Sequence, residues 1–100
     1  YYLALDVTEP PLDDPRLREA LSLAIDREQL VALLGRGEIA AFGLLPPALV
    51  ADPSAAYGWR TLDRPARERR AREALAAATA RGPLPPIELT YDAGDVHRQV

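Results

Sequence analysis

Pro10-Pro11-Leu12-Asp13-Asp14-Pro15-Arg16-Leu17-Arg18-Glu19-Ala20-Leu21-Ser22-Leu23-Ala24-Ile25-Asp26-Arg27 is the stretch on which the reading of this chain turns. Asp14 stands immediately before Pro15, an N-cap followed by a proline whose missing N–H costs nothing at the first helical position. A helix is therefore predicted to start here. Leu17, Leu21 and Ile25, flanked by Ala20 and Ala24, recur at helical spacing and are predicted to form its buried face, with Arg16, Arg18 and Glu19 outside. Asp26-Arg27-Glu28-Gln29 reads as a second N-terminus, because an Asp cap can accept from the Gln29 N–H in the manner of a capping box. The helix should turn a corner there. Leu30, Val31, Leu33 and Leu34 follow, and Gly35-Arg36-Gly37 supplies the left-handed positions that end a helix.

Upstream, Tyr1 to Val7 alternate apolar and polar faces with the period of a half-buried strand, which Glu9-Pro10-Pro11 ends. Downstream, Glu38 to Asp63 is an irregular segment longer than most structureless connections, of the kind that binds a ligand or wraps a core. Asp63 and Pro65 open a third helix that should run to Ala80, with Arg81 and Gly82 closing it. Pro83-Leu84-Pro85-Pro86 is a stiff spacer, Ile87 to Tyr91 alternates as a strand, and Asp92-Ala93-Gly94 turns into a last helix capped by Asp95. The order strand-helix-helix-loop-helix-strand-helix predicts an α/β class, one flank of a sheet whose other strands lie elsewhere. The chain opens within a strand without an initiator Met and closes in the first turn of a helix, so a piece of something longer is expected.

Composition removes several function classes. The 100 residues are 48% hydrophobic and 27% charged with a formal net charge of -3, and all twelve cations are arginine. That balance does not advertise nucleic acid or an anionic membrane. With no Cys there is no disulfide, thiolate metal site or cysteine nucleophile. Apolar runs stop well short of the roughly 20 residues that a spanning helix needs. Nucleophilic catalysis has little to work with: Ser22 lies inside a helix, Ser54 has no nucleophile elbow, and Lys is absent. Asp13 and Asp14 read as capping residues, and His97 with Asp92 and Asp95 makes too thin a set for a metal. No cofactor and no metal are predicted.

Arg64-Pro65-Ala66-Arg67-Glu68-Arg69-Arg70-Ala71-Arg72 is the one charge cluster. Glu68 and Arg72 are ordered for an i,i+4 pair and Ala71, Ala74 and Ala78 supply an apolar stripe, so a solvated helix is predicted; no aromatic residue interleaves to stack on bases. Tyr57 and Trp59 are expected to pin the long loop to the core. His97 follows the Tyr91 to Gly94 turn, and in open α/β folds the junction of a strand end with a helix N-terminus is where polar or anionic ligands sit. An ordinary surface histidine is the plain alternative.

The punctuation as a whole resembles a known family. Tyr1 to Val7 leading into Pro10 to Arg27 is similar to the "N-x-x-x-P-P-F-D-D-x-R-V-R-Q-A-L-x-x-A-I-D-R" stretch of the extracytoplasmic solute-binding proteins of family 5, the oligopeptide, dipeptide and nickel-type binding components of ABC importers. Gly35 to Gly37, Pro46-Pro47, Arg72-Glu73-Ala74-Leu75 and Leu89-Thr90-Tyr91 with His97 continue the likeness along the whole chain. The resemblance implies a fragment of a periplasmic-binding-protein type II lobe, residues 1–100 forming a single partial domain at the start of the C-terminal lobe of a larger two-lobed protein. It implies binding of a peptide or similar small solute outside the cytoplasmic membrane, at a periplasmic or lipid-anchored location, delivery to an ABC permease, and no enzyme activity. By the same likeness His97 faces the cleft and helps receive a ligand carboxylate, with Asp92 in the same turn, whereas Arg16, Arg18 and Asp26 belong to the architecture. Departures exist: Ala4 stands where peptide binders carry an acidic group, no Lys lies near Leu34 and Gly35, Asp6 replaces Asn, and Ala40-Ala41-Phe42 replaces a proline. A ligand-sensing domain of a transcriptional regulator and a free-standing interaction module are the alternatives. The hundred residues by themselves are expected to self-associate and to bind no solute tightly.

Overall fold

Three helices and one 3-10 turn make up the regular structure of the computed structural model, which describes residues 2–45, 49 and 56–91. Helix α1 spans Pro15–Ala24 and starts as its sequence dictates: Asp14 caps it, accepting from the Arg16 backbone N–H at 2.8 Å. It ends because Ile25 leaves helical geometry, at φ -71 and ψ 118. Helix α2, Arg27–Leu34, begins at Asp26, whose carboxylate accepts from the Gln29 N–H at 2.9 Å, so the expected corner is present. Gly35 stops it at φ 61, a left-handed conformation that costs a residue bearing a Cβ. Helix α3, Arg64–Thr79, is capped by Asp63, which accepts from the Ala66 N–H at 2.8 Å.

The core lies where α1 and α3 pack together under the aromatic loop. Leu23 of α1, Ala71 of α3 and Trp59 form the buried cluster, with Phe42 and Leu62 against it. The buried stripe of α1 is Leu17, Ala20 and Leu23, whereas the sequence pointed to Leu17, Leu21 and Ile25. Leu21 is half-buried, and Ile25 lies beyond the helix as its C-cap. The difference amounts to about one residue of rotation on a helix that turns roughly 100° per residue. Its cause is tertiary, since Leu23 must meet Ala71 and Trp59. A fully buried leucine is worth about 1.5–3 kcal/mol, so Leu17 and Leu23 outweigh any exposed ion pair of the surface.

Two expected strands do not form among the described residues. Segments 2–6 and 87–91 carry no regular secondary structure, and Tyr2, Leu3, Leu89 and Tyr91 are exposed. The described architecture is therefore helical where an α/β order was predicted. The physical reason is the absence of a neighbour: a strand is held by hydrogen bonds to an adjacent strand, and no ladder reaches either segment among the described residues. The helix expected after Asp95, Ser54 and the Pro46-Pro47 landmark lie outside the described residues. No helix among the described residues is long and apolar enough to cross a membrane.

Candidate functional site

The two ligand-binding residues that the sequence names, Asp92 and His97, lie outside the described residues, which end at Tyr91. The described part builds something else, a polar cleft where the N-termini of α2 and α3 come side by side. It is an open groove of about 480 Å³ lined by Asp26, Glu28, Gln29, Leu62, Asp63, Arg64 and Arg67. Both helices present their capping carboxylates here, because Asp26 and Asp63 each occupy an N-cap.

Arg67 is the residue that sequence reasoning missed. It was grouped with a solvated basic face, yet only 6% of it is exposed, and it begins the inward stripe that continues through Ala71 to Ala74 and Ala78. Its Nη2 donates to Glu28 Oε1 at 2.8 Å, and its guanidinium lies 5.4 Å from the centre of the Phe42 ring. The Nη1 atom is buried without a hydrogen-bond partner among the described residues. Heptad position could have found it: residues 67, 71, 74 and 78 share one helix face, so an arginine at the first of them is placed inward.

The rest of the basic cluster is also tied down. Arg64 pairs with Asp26 of the α1–α2 corner and, through Nε at 2.9 Å, with Glu68. Arg70 reaches Glu19 of α1, and Arg72 comes within 3.6 Å of Glu68, the pair that the sequence predicted. These arginines brace three helices, which leaves little free positive field for phosphates. The carboxylates respond accordingly. The hydrogen bond from Arg67 holds the Glu28 carboxyl below its ordinary value, and the side-chain bond from Arg16 brings Asp14 down to about 2.

A second guanidinium closes the cluster from the other side. Arg27 donates from Nη1 to the Ser22 carbonyl at 2.7 Å and from Nη2 to the Ser22 hydroxyl oxygen at 3.0 Å. Its charge lies 5.1 Å from the Trp59 ring centre and 5.7 Å from that of Phe42. Burial pushes the Arg27 pKa down from its usual value. Ser22 thus serves packing, as expected. Trp59 meets Phe42 edge-on at 5.9 Å and stacks on Tyr57 at 4.9 Å, and the Tyr57 N–H donates to the Phe42 carbonyl at 2.7 Å. The aromatic residues pin the loop, as their sequence implied. Arg18 likewise does architecture, donating from Nη1 to the carbonyls of Leu12 at 2.8 Å and Asp13 at 2.9 Å.

Chemically the cleft offers hydrogen bonding and paired charge. Among the described residues no group of three or more His, Cys, Asp or Glu side chains converges as metal ligands. The Thr8 hydroxyl donates to the Asp6 carboxylate at 2.6 Å, an exposed contact between residues two apart and outside the cleft.

Comparison with known proteins identifies the family of the chain. Residues 1–100 match the family described as bacterial extracellular solute-binding proteins, family 5 Middle. The chain is 34% identical over 107 residues to the periplasmic oligopeptide-binding protein OppA of Escherichia coli strain K12, a match that covers all of this chain and 19% of that protein. It is 41% identical over 49 residues to the glutathione-binding protein GsiB of Salmonella choleraesuis, covering 48% of this chain and 10% of the relative. A probable di/tripeptide-binding protein of Pseudomonas aeruginosa is 43% identical over 47 residues, or 46% of this chain and 9% of the relative. No solved structure gives a significant match. The chain spans about a fifth of the length of the relative it matches from end to end. With every one of its residues inside the family match, the chain belongs to the bacterial extracellular solute-binding proteins of family 5.

Proposed function

We propose that the chain is part of the substrate-binding component of an ABC importer, which takes peptides or similar small solutes outside the cytoplasmic membrane and hands them to a permease. The observation that carries this reading is the full-length family match together with relatives whose names specify oligopeptides, glutathione and di- or tripeptides. Binding and delivery, without covalent change of the solute, is the activity. The same likeness supports a periplasmic location and a place within an α/β lobe of the periplasmic-binding-protein type II class, in its C-terminal half. In that lobe residues 2–7 and 87–91 become strands by pairing with neighbours, and cleft closure buries the solute. Exposed Tyr2, Leu3, Leu89 and Tyr91 also support self-association of the isolated hundred residues, which sedimentation tests.

Within this reading His97 donates to a carboxylate of the ligand, with Asp92 in the same turn. Calorimetry on the full-length protein tests both statements, using tri- to pentapeptides with free and amidated C-termini. Peptide binding is expected, amidation should weaken it roughly tenfold, and in H97A the two forms should bind alike. Peptides that give no heat while another solute class binds would overturn the substrate assignment. Equal sensitivity to amidation in H97A would remove His97 alone.

A further inference from the structure

We propose that α2 is a detachable element, clasped to the α1–α3 core by charge and able to open as a unit while that core stays folded. Three observations carry the proposal. Helix α2 contributes no fully buried side chain, whereas α1 contributes three and α3 two. Its Leu33 is 69% exposed and its Leu30, Val31 and Leu34 are only half-buried, and the buried cluster of Leu23, Trp59 and Ala71 with Phe42 and Leu62 contains none of its residues. Its side-chain links to the rest run through charged groups: Asp26 to Arg64, Glu28 to Arg67, Arg27 to Ser22, and the Arg27 guanidinium 5.1 Å from the Trp59 ring centre.

The consequence is a difference in cooperativity along the chain. Apolar contacts buried between α1 and α3 are lost only when both helices separate, so those helices protect each other. Each bridge of the clasp on α2 has one partner open to water: the Glu28 side chain is 52% exposed against 7% for Arg67, and that of Arg64 is 59% exposed against 18% for Asp26. Salt reaches such half-open pairs through their exposed partner, because the screening length falls from about 30 Å at 0.01 M to about 3 Å at 1 M. Corner and stop frame the movable part. Ile25 and Asp26 are non-helical ahead of it, and Gly35 is left-handed behind it. Local opening units are drawn from segments with few buried apolar contacts.

Hydrogen exchange on the full-length protein tests this, read by mass spectrometry over the segments of α1, α2 and α3. In E28Q the α2 amides should exchange about tenfold faster, the factor expected for losing one charge-assisted hydrogen bond, while α1 and α3 change by less than about twofold. R64Q, which leaves Asp26 in place as the cap, should move α2 in the same direction, and E19Q on the α1–α3 bridge should leave α2 unchanged. Raising salt over the range above should speed α2 selectively in the unaltered protein, which keeps the test intact if a variant fails to fold. Either α2 protection indifferent to salt and to R64Q, or α1 and α3 accelerating in step with α2, overturns the proposal.

Discussion

Arg67 and Glu28 stand 39 positions apart in the chain, yet a 2.8 Å hydrogen bond joins Nη2 of one to Oε1 of the other. The arginine is buried with its guanidinium carbon 5.4 Å from the centre of the Phe42 ring, so three demands meet in one guanidinium: a carboxylate partner, an aromatic ring and a place in the inward stripe of α3. Lysine satisfies the charge but is a compact, strongly hydrated ammonium in place of a delocalised, weakly hydrated guanidinium against the ring.

Replacement of Arg67 should therefore be costly whichever residue enters. R67K is expected to lose about 1–3 kcal/mol of unfolding free energy. R67M keeps the contact with Phe42 but leaves Glu28 without its donor, and should cost less than R67K. Urea unfolding of the three proteins ranks them, and a neutral R67K would refute the assignment.

Acid should weaken the fold in a defined window. Asp14 is lowered from its ordinary 3.8 to about 2, and Glu28 is lowered from 4.5. Both groups bind protons more weakly in the folded state, so their stabilisation is complete above their ordinary values and fades as pH falls through the folded ones. Urea midpoints should be flat in these contributions above about pH 5.5 and fall toward pH 2. Combining D14N with E28Q should flatten the slope between pH 4 and 2 relative to the unaltered protein.

Core truncation should separate the two ways the loop and helices are held. Leu17 is 1% exposed and Trp59 6%, so L17A should cost about 2–5 kcal/mol and W59A about 3–5. Only W59A removes the surface on which Phe42, Tyr57 and Arg27 assemble. Proteolysis within residues 38–57 should accelerate in W59A far more than in L17A at matched stability.

A change at Gly35 tests a conformational cost without a steric one. At φ 61, a Cβ built there meets nothing closer than the Ala32 carbonyl oxygen at 3.9 Å, an ordinary contact. G35A should cost about 1–2 kcal/mol from the left-handed backbone alone, and G35N less, since Asn tolerates that region. Equal losses for the two variants would show that something other than φ is at work.

Local rules made much of the fold readable. Asp14-Pro15, Asp26 with Gln29, Gly35, and Asp63 ahead of the alanine-rich helix are all signals that a few consecutive residues complete by themselves. Tyr57 and Trp59 were legible too, as large apolar rings in a loop have few places to go. The α1 face was misread by one position, because Leu23 answers to Ala71 and Trp59, far along the chain. Arg67 looked like one more charge among five, since no local pattern announces a carboxylate 39 residues away. Segments 2–6 and 87–91 have strand periodicity, but pairing is a property of two segments and their alternation supplied only one. The cleft of Asp26, Glu28 and Arg67 was invisible for the same reason, whereas His97 was singled out by its place after the Tyr91 to Gly94 turn and, with Asp92, by family likeness.

The bond from the Tyr57 amide to the Phe42 carbonyl fixes the two mouths of the intervening stretch as a cassette. Whatever is spliced between those anchors meets the same base, and each doubling of its length costs only about 0.6 kcal/mol of closure entropy. A longer or shorter connection between Phe42 and Tyr57 therefore changes the closure cost little so long as that bond holds the two ends together, which makes this a position for grafting an epitope or a reporter.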